Sequence, residues 1–181
     1  INVGVLYIVA VGAIATLSII MAGWASNNKY ALLGAFRTVA QMVSYEVPMV
    51  ITLLIPVILS GSMGIHDIVN AQQASQGGTW FILVAPVAAI MFLISSIAEI
   101  GRTPFDLLEA ESEIVAGFHI EYTGMTFGLF YAAELLHAFT VGALFSTMFL
   151  GGWSGPGAEQ FPLLGLLYLW IKAFILYFVI M

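Results

Sequence analysis

The 181-residue sequence contains no cysteine. That single absence removes thiolate-held zinc, iron–sulfur clusters, c-type haem attachment and any disulfide framework. Charge is nearly as scarce, at 8% of residues, against roughly 25% in a soluble globular domain. Only four residues are Lys or Arg while ten are Asp or Glu, so the formal charge is −6, the wrong sign for holding nucleic-acid phosphates. A basic leader followed by a small-residue cleavage site is also missing, which argues against a signal peptide. What the sequence does have is apolar surface. Hydrophobic residues make up 61% of it and the mean hydropathy is +1.05, the composition of a chain that lives in a bilayer.

Crossing a bilayer takes about 20 apolar helical residues, and five segments qualify: Val3–Gly23, Phe36–Ser60, Trp80–Ile100, Phe127–Leu150 and Pro162–Met181. No soluble domain, internal repeat or alternating β-pattern lies between them, so the expected class is an all-α polytopic transmembrane bundle, one membrane domain over residues 1–181. The sequence opens on Ile1 and stops at Met181, both inside apolar runs, and is expected to be an internal piece of a longer polytopic protein. Loop charges give an orientation. Lys29, Arg37 and Arg102 fall after the first and third segments, and no Lys or Arg falls after the second or fourth, which puts the former loops in the cytoplasm. The same side receives residues 101–126, with Asp106, Glu109, Glu111, Glu113 and Glu121, half of all the acids. On the opposite side Ile65, Ile68 and Val69, set among His66, Asp67 and Asn70, are expected to form a short helix lying on the outer face.

Several ionisable groups stand inside the apolar segments. Glu46 lies about ten residues into the second and Glu134 about seven into the fourth. A charge near mid-bilayer costs ~2.5–3.5 kcal/mol on insertion scales, so each must face protein or water. A single buried Glu is as readily a hydrogen-bonded helix tie as a proton carrier. Three features favour proton exchange. Glu99 closes the third segment, so three helices each contribute an acid. Phe127, Tyr131, Glu134 and His137 fall on one helical face, placing aromatics, an acid and an imidazole along a potential cavity wall. Pro48, Pro56 and Pro86 free backbone carbonyls that can hold water. Lys172, about ten residues into the fifth segment, is too deep for easy snorkelling and is expected either to pair with one of these acids at the cavity or to lie nearer a helix end.

The loop after the third segment reads Glu99-Ile100-Gly101-Arg102-Thr103-Pro104-Phe105-Asp106-Leu107-Leu108-Glu109-Ala110-Glu111-Ser112-Glu113. Pro104 keeps Thr103 out of a helix, and Glu109 and Glu113 then repel across one turn, a repulsion relieved when one of them takes a proton. Arg102 is expected to pair with Glu99 or Asp106. An acidic solvated loop is the plainer reading of the same residues.

This loop, continued through Ile114-Val115-Ala116-Gly117-Phe118 and Glu121-Tyr122, resembles the signature loop of the NuoH (mitochondrial subunit 1) family of respiratory complex I. Further matches are Gly23-Trp24-Ala25-Ser26-Asn27-Asn28-Lys29-Tyr30, Gln41-Met42-Val43-Ser44-Tyr45-Glu46, Phe127-Gly128-Leu129-Phe130-Tyr131 and Gly151-Gly152-Trp153. The departures are small: Leu108 stands where many members have Pro, and Gly101 where some carry a bulkier residue.

The resemblance implies an eight-helix subunit, of which these segments would be the third to seventh helices. It implies a proton-translocating NADH:quinone oxidoreductase in which this subunit holds no cofactor or metal, quinone is the substrate, and FMN and iron–sulfur clusters sit in partner subunits. Expected partners are hydrophilic-arm subunits of the quinone site, small membrane subunits and antiporter-like subunits, with no nucleic acid. The implied location is a prokaryotic plasma membrane, with a mitochondrial inner membrane or thylakoid less favoured. By the same resemblance Arg102, Phe105, Asp106, Glu109, Glu111 and Glu113 would border the quinone chamber, and Glu46, Glu99, Glu121 and Glu134 would carry protonation changes away from it. Phe127, Tyr131, His137 and Lys172 are candidate cavity-lining residues.

Equivalent subunits of membrane-bound hydrogenases and coenzyme F420-type dehydrogenases form the alternative. A stand-alone transporter is less favoured, because no inverted repeat is visible. A b-type cytochrome would need paired histidines at one depth, and only His137 lies inside a segment. Gly61-Ser62-Met63-Gly64 follows a helix rather than a strand, so it is no phosphate loop.

Overall fold

A computed structural model describes residues 2–73, 78–105, 117–155 and 161–181. The described residues form helices and turns, with no strand among them. Helix α1 (Gly4–Gly12) runs into α2 (Ile14–Ala25) through Ala13, whose φ of −59° and ψ of −20° remain helical. Together they make one apolar span of 22 residues. Helix α3 (Lys29–Ser60) is 32 residues long, and its continuity through Pro48 and Pro56 reflects the packing of neighbours on both sides rather than local propensity. Its start corrects the loop assignment of two charges. Asn28 caps the helix by accepting a hydrogen bond from the Tyr30 amide at 3.0 Å, so Lys29 opens α3 and Arg37 lies in its third turn.

After Ser60 the short helix α4 (Ile65–Ala71) turns back. Ile68 and Val69 are fully buried and α4 packs on a later helix. It therefore plugs the end of the bundle and does not lie with its apolar face in lipid. The third apolar segment is not one helix either. It divides into the single turn α5 (Phe81–Val84) and α6 (Pro86–Ile100), with Ala85 at φ −131° and ψ 63° between them. Pro86 lacks the N–H that would continue the ladder and excludes its predecessor from the α region, so it opens a new helix at the first position. Among the described residues four spans, not five, are then long and apolar enough to cross a membrane unbroken, with α6 a shorter apolar helix. The last two of the four are α7 (Met125–Phe149) and α8 (Pro162–Ile180).

Helix α7 packs along α8, α3 along α6 and α2 against α3. Phe92 of α6 is fully buried, with ring centroids 5.9 Å from Phe145 and 5.8 Å from Phe149 of α7. The outward faces are as apolar as the core: Ile58, Leu83, Leu163 and Phe178 are each at least three-quarters exposed. A soluble monomer does not present such continuous apolar surface, and a bilayer or neighbouring membrane subunits satisfy it.

The two ends of the bundle are built differently. At the end holding α4, the side-chain amide of the fully buried Gln72 donates to the carbonyls of Ile68, Thr147 and Met148 at 3.1–3.3 Å, and its oxygen accepts from the Phe81 amide at 3.2 Å. Lys172 of α8 donates to the carbonyls of Leu150, Gly152 and Ser154 at 2.8–3.0 Å, and its ammonium lies 5.2 Å from the Trp80 ring centroid. The last carbonyls of a helix have no partner within it and form its negative dipole end. Gln72 supplies partners for the Thr147 and Met148 carbonyls of the last turn of α7, and Lys172 for the Leu150 cap and the turn beyond it.

At the opposite end a 3-10 turn, Gly117–His119, lies over α3. A Cβ placed on Gly34 would stand 2.8 Å from the Gly117 carbonyl carbon, against backbone that cannot swing aside. Gly34→Ala should therefore lift this turn, at a cost of about 1–3 kcal/mol. A melting temperature in detergent indistinguishable from the native chain would contradict that contact.

Candidate functional site

The 117–119 turn roofs a cavity of about 400 Å³ walled by α2, α3, α6, α7 and residues 101–103. Its position follows from two local features. At the end of α6, Gly101 has φ +76°, a left-handed conformation in which glycine is nearly free of strain, and the chain reverses so that Arg102 donates its amide to the Ile97 carbonyl at 3.2 Å. This is the physical reason for glycine at a position where a bulkier residue would be strained. The roof is tied down by Tyr122, whose hydroxyl donates to the Ala22 carbonyl at 2.9 Å, and by Glu121, which accepts from the Asn28 amide group at 2.9 Å.

Phe127, Tyr131, Glu134 and His137 of α7 all line this cavity, as do Glu99 and Arg102. Arg102 Nη2 lies 2.9 Å from Glu134 Oε1, and the side chains are 24% and 31% exposed. The ion pair thus joins α7 to the chain leaving α6 and does not run to Glu99, and Asp106 lies outside the described residues. One turn deeper His137 Nε2 is 3.9 Å from Glu99 Oε1, beyond a direct hydrogen bond. Glu99 is nearly buried, and its Oε2 has no hydrogen-bond partner among the described residues. The remaining wall is aromatic and aliphatic, including Phe118, Phe130, Ile19 and Met42. An apolar chamber with a few convergent polar groups at one end is the usual form of a small-molecule site.

Other expected site residues fall elsewhere. Glu46 is half-buried on α3 outside the cavity lining, close enough for its charge to reach Glu99. Phe105 stands behind the wall, its ring 5.4 Å from Tyr45 and its carbonyl accepting from Gln41 at 2.9 Å. Glu121 is exposed and held by Asn28. Lys172 does not line the cavity and pairs with none of the described acids; the carbonyls of Leu150, Gly152 and Ser154, in the turn that follows α7, accept from it at the far end of the bundle. Asp106, Glu109, Glu111 and Glu113 lie outside the described residues. Gln41 does not stand out in the sequence as a site residue, yet it is buried and also donates to the Ala98 carbonyl at 2.6 Å. Its polarity within an apolar helix was the available signal. Thr38, Ser18 and His119 line the cavity as well, without a sequence pattern that marks them. Among the described residues no group of His, Cys, Asp and Glu is arranged to hold a metal ion.

The family model described as NADH dehydrogenase matches residues 1–181. The chain belongs to that family. Among its curated relatives, the H subunit of the NADH-quinone oxidoreductase of Dehalococcoides mccartyi strain CBDB1 is 54% identical over 155 residues, covering 86% of this chain and 42% of that protein. The H subunits of the same enzyme from Geobacillus sp. WCH70 and Anoxybacillus flavithermus are 48% and 46% identical, covering 90% and 95% of this chain and 50% and 54% of theirs. The chain therefore spans about half the length of the curated relatives it matches. The family assignment and the apolar spans agree on a polytopic helical membrane protein.

Proposed function

We propose that this chain is part of a membrane subunit of an NADH:quinone oxidoreductase, forms one wall of its quinone chamber, and couples quinone reduction to proton translocation through intramembrane carboxylates. The observation that carries this reading is the cavity walled by α2, α3, α6 and α7, whose lining combines Phe118, Phe127, Phe130 and Tyr131 with the Arg102–Glu134 and Glu99–His137 contacts. A quinone has an apolar tail and a ring whose two oxygens gain protons on reduction, which calls for the same combination of apolar wall and exchangeable protons.

In this reading the Arg102 end of the bundle faces the cytoplasm across a prokaryotic plasma membrane, toward hydrophilic-arm subunits that bring electrons from NADH through their own flavin and iron–sulfur centres. Glu99 on the cavity wall and Glu46 behind it would then lead toward the remaining membrane subunits. The acids of the 106–113 stretch would border the chamber. The names of the relatives favour NADH as donor over hydrogen or F420.

Two measurements on the assembled complex test the reading. A photoreactive quinone analogue should label this chain, at Phe118, Phe127 or Tyr131. Glu46→Gln and Glu134→Gln should leave assembly intact while lowering quinone reductase and pumping rates together, by about tenfold or more. Native turnover in both variants would sink the relay.

A further inference from the structure

Residues 99 and 102 face residues 137 and 134 as two rungs across α6 and α7. Each rung joins an acid to a base, and the order alternates, so Glu99 and Glu134 occupy opposite corners and Arg102 and His137 the other two. On α7 the acid and base are three residues apart, a spacing at which side chains on a helix are neighbours, while Glu99 lies in the last turn of α6 and Arg102 just beyond its left-handed Gly101. All four side chains line the one cavity, so a second pairing, Arg102 with Glu99 and His137 with Glu134, is open to them. The observed one is lopsided. Arg102 Nη2 and Glu134 Oε1 are in ion-pair contact at 2.9 Å, Glu99 and His137 are 3.9 Å apart, and Glu99 Oε2 together with Arg102 Nε and Nη2 are buried without a geometrically formed hydrogen bond among the described residues. A nearly buried acid with no closed cation partner is least costly with its proton on.

We infer that these four side chains are a proton-transfer switch in which Arg102 changes partner from Glu134 to Glu99 while His137 carries one proton from Glu99 to Glu134. The step balances within the quartet. The Glu99 O–H bond breaks as His137 Nε2 gains that proton. The Nδ1–H bond of His137 breaks as the Glu134 carboxylate gains that one. The guanidinium leaves the neutralised Glu134 and pairs with the Glu99 carboxylate. His137 ends neutral in its other tautomer, and the total charge is unchanged. No oxidant or reductant is needed. The imidazole suits the task because its two nitrogens accept and donate on opposite edges, and closing 3.9 Å to bonding distance takes a small rotation or one bridging water.

The surroundings give the switch its input and output. Glu46 on α3 faces Glu99 electrostatically, with Gln41 beside it at Ala98. His119 of the roof and Tyr131 of α7 line the cavity with the quartet, while α2 contributes the Ser18 hydroxyl and no titratable group. A new negative charge in the cavity weakens the hold of Glu134 on Arg102, and the proton that arrives on Glu134 stands at the cavity wall. His137 thereby becomes a proton carrier where an aromatic or amide side chain would serve equally well as packing.

The trigger of this switch rests on the quinone chamber proposed above, and the experiment separates the two. Infrared difference spectra of the assembled complex, recorded on reduction of a bound short-tailed quinone analogue, should show one carboxylic-acid carbonyl band lost and another gained. Glu99→Gln should remove the first and Glu134→Gln the second. His137→Gln should abolish both and slow coupled turnover by about a hundredfold, the lower range for a positioned proton-transfer group, and Glu99→Gln/His137→Gln should be no slower than the slower single variant. Band changes that survive His137→Gln, or a double variant whose losses multiply, would overturn the switch. Failure of the photoreactive analogue to label this chain would instead overturn the chamber reading, and a band exchange that persisted would leave the switch standing under another trigger.

Discussion

Arg102→Gln should nearly silence quinone reductase activity while leaving the complex assembled. The side chain contributes little to stability and much to the cavity. Its pair with Glu134 is about a quarter to a third exposed, and ion pairs that water can reach typically stabilise by about 0–1 kcal/mol. Within the cavity, however, Arg102 is the one cation of the described lining that carries its charge at every physiological pH. Removing it takes a permanent positive charge away from Glu134 and from the wall where a quinone ring would gain electrons. Losing one preorganised charge at a reaction site costs about a hundredfold in rate, and that is the expected scale. Arg102→Lys should retain an intermediate rate, keeping the charge and losing the planar fork. The checks are turnover with a short-chain quinone in membranes and the amount of intact complex on a native gel. Near-native turnover in Arg102→Gln would remove the ion pair from the mechanism.

The largest expected loss of stability comes from the other end of the molecule. Lys172→Met keeps the apolar stem and deletes three charge-assisted donors, leaving the carbonyls of Leu150, Gly152 and Ser154 without this partner. Hydrogen bonds to charged groups are individually worth about 1.5–3 kcal/mol, partly offset here by the cost of holding an ammonium away from water, so a net loss of about 3 kcal/mol is expected. Lys172→Arg should lose less. Thermal unfolding in detergent measures both, with quinone labelling of the cavity unchanged at temperatures where the variants remain folded. A Lys172→Met protein that melts with the native one would show that lipid or water already serves those carbonyls.

The helical face of Phe127, Tyr131, Glu134 and His137 was legible from spacing because a single helix sets it, and no tertiary information is needed to know that the four share a side. Partner choice was not legible. Arg102 has acids on both sides of it in sequence, yet it selects Glu134, more than 30 residues away, because Gly101 turns the chain toward α7. Lys172 misled for a related reason. Its depth in an apolar segment is visible in the sequence, but the carbonyls that satisfy it belong to the turn ending another helix, and backbone acceptors leave no mark in side-chain composition. The break at Pro86 is visible in the sequence only as a proline within an apolar segment. Whether a proline bends a helix or begins a new one depends on packing, and α3 passes through two of them.

The double clamp on the end of α7 also has a mechanical consequence. Thr147, Met148, Leu150, Gly152 and Ser154 are pinned by Gln72 and Lys172, whereas Met125 and Leu129 at the other end are largely exposed. Were the helix to tilt about this clamped end, Glu134, about 15 residues from Phe149, would swing at a radius of about 22 Å. A tilt of about 3° carries that carboxyl through about 1 Å at this radius. Displacement on that scale is enough to open the 2.9 Å contact with Arg102 or to close the 3.9 Å gap at Glu99.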